Sequence, residues 1–128
     1  MIAIRSPADI EKARLPPLLG AAAGKHLRHI LEAHPQYDPA DDGHLVIVTP
    51  TDTDDGLSQH LGRRWRESSF EGVTFDPACC CFFTVILRNN QYATTILIPD
   101  EPWLEPAIRR RLLAEMPGSE PIAPLPAR

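Results

Sequence analysis

Two apolar runs, Cys80 to Arg88 and Gln91 to Ile98, flank Asn89-Asn90 and commit this part of the chain to a β-hairpin. β-branched and aromatic residues dominate both runs, as strands favour. Asn tolerates the positive φ that a two-residue primed turn requires. Counting outward from such a turn sets Arg88 opposite Gln91, Leu87 opposite Tyr92, Val85 opposite Thr94, Phe83 opposite Ile96 and Cys81 opposite Ile98. The face carrying Leu87, Val85, Phe83 and Cys81 is largely apolar and should meet the core. The other face sets Phe82, Thr84, Ile86 and Arg88 against Leu97, Thr95, Ala93 and Gln91. It is mixed but far from polar, whereas an antiparallel sheet with one wet face alternates cleanly. The second face is therefore expected to be covered, by a helix or by a partner chain.

Proline divides the rest of the chain. Its 14 residues among 128 fall between the periodic segments and in the tail, where they act as stops. Ser6-Pro7-Ala8-Asp9 starts a short helix that Pro16-Pro17 must end. A second helix, about 18–33, carries Leu19, Ala23, Leu27, Ile30 and Leu31 on one face. Gly20 and Gly24 weaken it and leave room for a close neighbour. Pro35 to Gly43 reads as a loop. Leu45 to Val48 is a short run of apolar residues, as in a central strand buried on both faces. A third helix, about 54–66, is capped by Thr53 and buries Leu57, Leu61 and Trp65. Ser68 to Gly72 reads as a turn and Val73 to Phe75 as a short strand. The last helix, about 101–116, has Asp100 as its cap and a stripe of Leu104, Ala107, Ile108 and Leu112, with Arg109 and Arg110 pointing away. The expected fold class is α+β. It has a three- to four-stranded, mainly antiparallel sheet centred on the hairpin (about 80–98), with helices packed on it. Residues 1–116 form one domain in this reading, and 117–128 a flexible Pro-rich tail.

Composition narrows the function class. The hydrophobic fraction of 43% and charged fraction of 23% suit a packed globular core. The net charge of -4 lacks the basic excess that phosphate neutralisation asks of a duplex-binding protein. The longest apolar run, Cys79 to Leu87, is far shorter than a membrane span. Residues 1–9 lack the pattern of a secretory signal. Three adjacent cysteines, Cys79, Cys80 and Cys81, are no disulfide framework and point to reduced thiols in a cytoplasmic setting. The Ala, Arg and Pro usage is that of a GC-rich bacterial gene.

Four constellations bear on chemistry. Asp52, Asp54 and Asp55 follow a buried strand and open a helix, with His60 about 1.5 turns further on. Carboxylates so placed suit a divalent cation, although the spacing is not that of an EF-hand, and helix capping explains them equally. His26 and His29 neighbour each other on the second helix, with His34 and His44 elsewhere, but no zinc-binding spacing is present. The three cysteines cannot chelate one ion from a regular strand, because neighbours point to opposite faces. Arg63, Arg64 and Arg66 around Trp65, and Arg109 to Arg111, are short basic clusters that suit phosphate or intrahelical ion pairs. Gly20 to Lys25 is not a phosphate loop, since no strand precedes it, the glycine gap is one residue short, and His26 replaces the Ser or Thr.

The absence of catalytic motifs and the apolar hairpin face favour a non-enzymatic interaction module or accessory subunit that oligomerises with itself or binds another protein. Trp65, Arg64, Phe82, Ile86 and Trp103 are its candidate contact residues, since Trp and Arg are enriched in interfaces. The alternatives are a small metal-dependent enzyme using Asp52, Asp54, Asp55 and His60, and a nucleic-acid accessory protein using the arginine clusters. No cofactor is expected.

Overall fold

In the computed structural model, which describes residues 1–33, 45–67, 70–88 and 92–116, the two apolar runs do pair, one residue away from the expected register. They form β4 (Cys81–Arg88) and β5 (Tyr92–Pro99), with Arg88 opposite Tyr92, Phe83 opposite Leu97 and Cys81 opposite Pro99. Residues 89–91 thus separate the strands, three where two were expected; the Asn89-Asn90 turn lies outside the described residues. Strand faces alternate with a period of two, so the slip regroups every side chain. Phe82, Thr84 and Ile86 share a face with Ile98, Ile96 and Thr94, and Phe83 and Val85 share the other with Leu97 and Thr95.

Around the hairpin stand β1 (Ile2–Ile4), β2 (Leu45–Ile47) and β3 (Phe70–Asp76), in the sheet order β1-β2-β5-β4-β3. β1–β2, β3–β4 and β4–β5 are antiparallel, and β2–β5 is parallel. The sheet is mostly antiparallel, in keeping with the α+β expectation, and has five strands. The unforeseen one, β1, is a three-residue edge strand, too short to show a period. β3 begins at Phe70, inside the segment read as a turn, and its register shifts between Phe70 and Val73. β2 sits between β1 and β5 and is buried throughout, as its apolar sequence implied.

Helices cover both sides. α1 (Pro7–Ala13) closes on Arg14 in the left-handed region (φ 52°), and α2 (Pro17–Ala33) starts on a proline, whose fixed φ suits a first helical position. Ala23, Leu27 and Ile30 of α2 pack with Ile4, Leu45, Ile47 and Leu97, with Leu19 and Leu31 half-buried beside them. Among the described residues no close neighbour uses the glycines of α2: a Cβ at Gly24 would meet none of them within 4 Å, and one at Gly20 only Leu15 at 3.9 Å.

On the opposite side lie α3 (Asp54–Leu61), α4 (Arg63–Arg66) and α5 (Pro106–Glu115). The helix expected over 54–66 is two helices, because Gly62 takes φ 78°, a conformation open to glycine, and ends α3. Thr53 caps α3 through a side-chain bond from the Gly56 N–H (3.0 Å). The last helix begins at Pro106, not near 101, after a turn closed by Leu104 N–H to Glu101 O (2.9 Å). Asp100 therefore caps nothing. Its N–H bonds Cys80 O (2.9 Å), and its carboxylate holds Arg109 (2.8 and 3.3 Å). Arg109 thus folds back onto the protein rather than pointing away.

Trp65, Phe82 and Ile86 belong to this second core, with Leu57, Ile96, Ile98, Ile108 and Leu112. The apolar second face of the hairpin is covered by the chain's own helices. Those three residues, named from sequence as contact candidates, are buried at 0%, 2% and 1% exposure and present no surface to a partner. The physical reason is that they share one core cluster with Leu57, Ile108 and Leu112 of the helices on that side.

Candidate functional site

Because β2 and β5 are parallel neighbours, their carboxyl ends emerge side by side. In open sheets that end of a parallel pair is where crevices form. The amino end of β1 and the turn between β3 and β4 reach the same end of the sheet, since Ile2 pairs with Ile47 and Cys81 with Pro99. The corner between α1 and α2 closes one bank. The result is a groove of about 920 Å³, lined by residues 13–19, 47–50 and 77–81 with Ile2, Pro99, Glu101 and Trp103. Its volume lies within the usual range for binding sites, about 300–1,000 Å³.

The lining is mainly proline and aliphatic side chains. Among the described residues, two large hydrophobics are exposed, Leu18 at 64% and Trp103 at 37%, and both line this groove. Trp103 was marked from the sequence. Leu18 was missed, although a signal existed: it is a large apolar residue beside the buried stripe of α2, just after Pro16-Pro17. Arg14 and Glu101, both exposed, are the charged residues of the lining.

The cysteines form one wall. Cys79 and Cys80 lie in a tight turn before β4, although Cys80 was expected to open the strand, and Cys80 adopts φ 56°. Asp76 Oδ1 accepts from the Ala78 N–H (2.9 Å) and sets the turn. The Cys79 thiol faces Asp76 O at 3.9 Å, and the Cys81 thiol donates to Cys79 O at 3.3 Å. Burial, reinforced by the adjoining Cys79 thiol, pushes Cys81 up to about 12. It is a protonated thiol at neutral pH, without the thiolate character of a nucleophile.

The acidic loop is brought close to the groove, with its carboxylates engaged in separate contacts. Asp52 accepts from Thr49 N–H (2.8 Å) and pairs with the Met1 amino group (2.8 Å). Asp54 accepts from Trp65 Nε1 (2.9 Å) and from Arg111 Nε and Nη2 (2.8 and 2.7 Å), while its own N–H donates to Glu105 (2.6 Å). Arg111 holds the Asp54 carboxyl below the usual range, with Trp65 assisting against the opposing effect of burial. Asp55 and His60 are exposed. Among the described residues no three His, Cys, Asp or Glu converge as a metal set.

The basic clusters divide in the same way. Arg109 is paired with Asp100 and Arg111 with Asp54, while Arg66 and Arg110 are exposed. The side chains of Arg63 and Arg64 lie outside the described residues, as do His34, His44, the 35–43 loop and the 117–128 tail. His26 packs edge-on against Phe83 (4.5 Å between centroids) and lines, with His29, a shallow pocket of about 340 Å³ on the α2 side of the sheet. None of the described histidines lines the cysteine groove. No described helix is long and apolar enough to cross a membrane.

Comparison with known protein families, with curated proteins and with solved structures returns no match.

Proposed function

We propose that the chain is a non-enzymatic interaction module that associates with a second copy of itself through the groove at the carboxyl ends of β2 and β5. The observation that carries this reading is the placement of Leu18 and Trp103, the two exposed large hydrophobics among the described residues, on that one concave surface. A lone exposed Leu needs no explanation, but two such residues sharing an apolar groove mark an interaction site. The proteinaceous partner favoured here is the chain itself. In a two-fold contact each residue meets its counterpart's neighbour, so one patch must complement itself. The groove offers this twice: Leu18 projects beside a cavity able to take the same side chain from a second copy, and Arg14 and Glu101 supply one charge of each sign. This replaces the hairpin face as the contact surface.

Native mass spectrometry and light scattering over a concentration series test the reading. The expected result is a mass twice 14.2 kDa that Leu18→Glu reduces to the monomer. Arg14→Glu and Glu101→Arg should each weaken the dimer, and their combination should restore it. A monomer at every concentration, or a dimer untouched by these changes, sinks it.

A further inference from the structure

The buried stripe of α2 packs on β1, β2 and β5, through Ile4, Leu45, Ile47 and Leu97. Further along the same side of the sheet, Phe83 and Val85 of β4 are half-buried and Thr74 of β3 is exposed. The pocket of about 340 Å³ opens there. His26 and His29, three residues apart on α2 and so on one side of it, form one wall. Phe83 and Val85 supply an apolar floor. Gly72 of β3 keeps the rim open, since a Cβ built on it would meet none of the described residues within 4 Å. Thr74 and Thr95 add two hydroxyls, and Thr95 is only 9% exposed. Among the described residues, no hydrogen bond engages either hydroxyl or either imidazole. A buried hydroxyl without a partner is unfavourable, and an acceptor brought by a ligand relieves it.

We infer that this pocket binds a small carboxylic acid with an apolar body. Its carboxylate accepts from His26, His29 and Thr95, and its body lies on Phe83 and Val85. The donors select the charge. Imidazole N–H and hydroxyl groups donate, and an ionised carboxylate has only acceptors to offer them. Lys25 and Arg28, both exposed on the same helix, add positive charge beside the two histidines. The floor selects the body, because a bare inorganic anion would leave its apolar side chains uncovered. The volume limits the size, being near the lower end of the usual range for ligand sites, about 300–1,000 Å³. No residue lines both this pocket and the groove of Leu18 and Trp103, so the site is separate from the self-association surface.

The test titrates the full chain with benzoate at mildly acidic pH, where imidazoles carry charge, and follows backbone amide shifts by heteronuclear NMR. Saturable shifts centred on the pocket are expected, in monomer or dimer alike, with a Kd of about 1 mM for a ligand of so few atoms. Benzyl alcohol, neutral and of similar shape, should bind at least about 10-fold more weakly. His29→Ala and Thr95→Val should each weaken benzoate by about 10-fold, the usual weight of a hydrogen bond to a charged group. Circular dichroism reports whether each variant is folded, and the exposed His29 keeps the test informative should Thr95→Val disturb the sheet. Absence of saturable shifts overturns the inference. So do shifts centred on the groove of Leu18 and Trp103, equal binding of benzyl alcohol or of inorganic phosphate, or undiminished binding of benzoate by His29→Ala.

Discussion

Arg111 on α5 grips Asp54 at the start of α3 with a two-pronged contact, Nε to Oδ1 at 2.8 Å and Nη2 to Oδ2 at 2.7 Å. The same carboxylate accepts from Trp65 Nε1, and the Arg111 guanidinium lies 5.9 Å from the Trp65 ring. One pair of side chains thus ties α3, α4 and α5 together over the sheet. Both are about one-fifth exposed, so the contact should be worth more than a surface pair and less than a fully buried one. Asp54→Asn is expected to destabilise by about 1–3 kcal/mol in urea unfolding. Arg111→Lys should destabilise as well, by less than full removal of the side chain, since a lysine keeps the charge and loses the fork.

The same pair sets an acid response. Arg111 lowers the folded value of Asp54 below its ordinary 3.8. A depressed carboxylate contributes stability that is present above the unfolded value and disappears as pH falls through the folded one. The wild-type advantage over Asp54→Asn should therefore shrink below about pH 4. Urea midpoints of both proteins across that range check it, and a constant gap would contradict it.

His26 adds a second acid response at milder pH. Burial lowers it from its ordinary 6.5, Lys25 and His29 add to the effect, and Asp76 opposes it. A histidine whose folded value lies below its unfolded value binds more protons when unfolded, so stability falls as pH drops through 6.5 toward the folded value. Replacing it by Gln should flatten the stability profile between about pH 7.5 and 5.5. An unchanged slope in His26→Gln would assign the acid sensitivity elsewhere.

Gly24 sits in the interior of α2 with open space around a built Cβ. Gly24→Ala should raise stability by about 0.5–1 kcal/mol, through helix propensity and a less flexible unfolded chain. A thermal melt decides the sign.

Much of the fold was legible because its signals are local. The β-branched runs made the hairpin, the run from Leu45 to Val48 made a strand buried on both faces, and Thr53 made a cap. What escaped was relational. The hairpin register turned on the number of residues left between the strands, which Asn89-Asn90 alone did not fix. The parallel pairing of β2 with β5 is a non-local choice that no window of sequence carries. Gly62 and Pro106, both visible, were outweighed by helical spacing that continued across them. The site suffered most from this. Trp65, Phe82 and Ile86 were sorted by residue type, yet their burial was decided by the helices packed on that face of the sheet.

Ile86 offers a direct check on that correction. Its side chain is 1% exposed among Trp65, Ile96 and Ile108. If it is core and not contact surface, Ile86→Ala should cost about 2–4 kcal/mol of stability through the cavity it leaves, with the native mass unchanged. A change in oligomeric state with little loss of stability would return the hairpin face to the interface.

The two tryptophans report on the two environments separately. Trp65 is fully buried and holds Asp54 through its indole N–H, whereas Trp103 is 37% exposed on the groove. Acrylamide should therefore quench a distinct, accessible fraction of the fluorescence at low protein concentration, and Trp103→Phe should abolish that fraction while leaving the resistant one. If two copies meet through the groove, the accessible fraction must shrink as protein concentration rises, because the neighbouring chain excludes quencher from Trp103 and not from Trp65. Leu18→Glu should hold it constant at its dilute value. Association observed by mass with Trp103 still fully quenchable would place the contact on another surface, since burial of this side chain is the one event the groove interface cannot avoid.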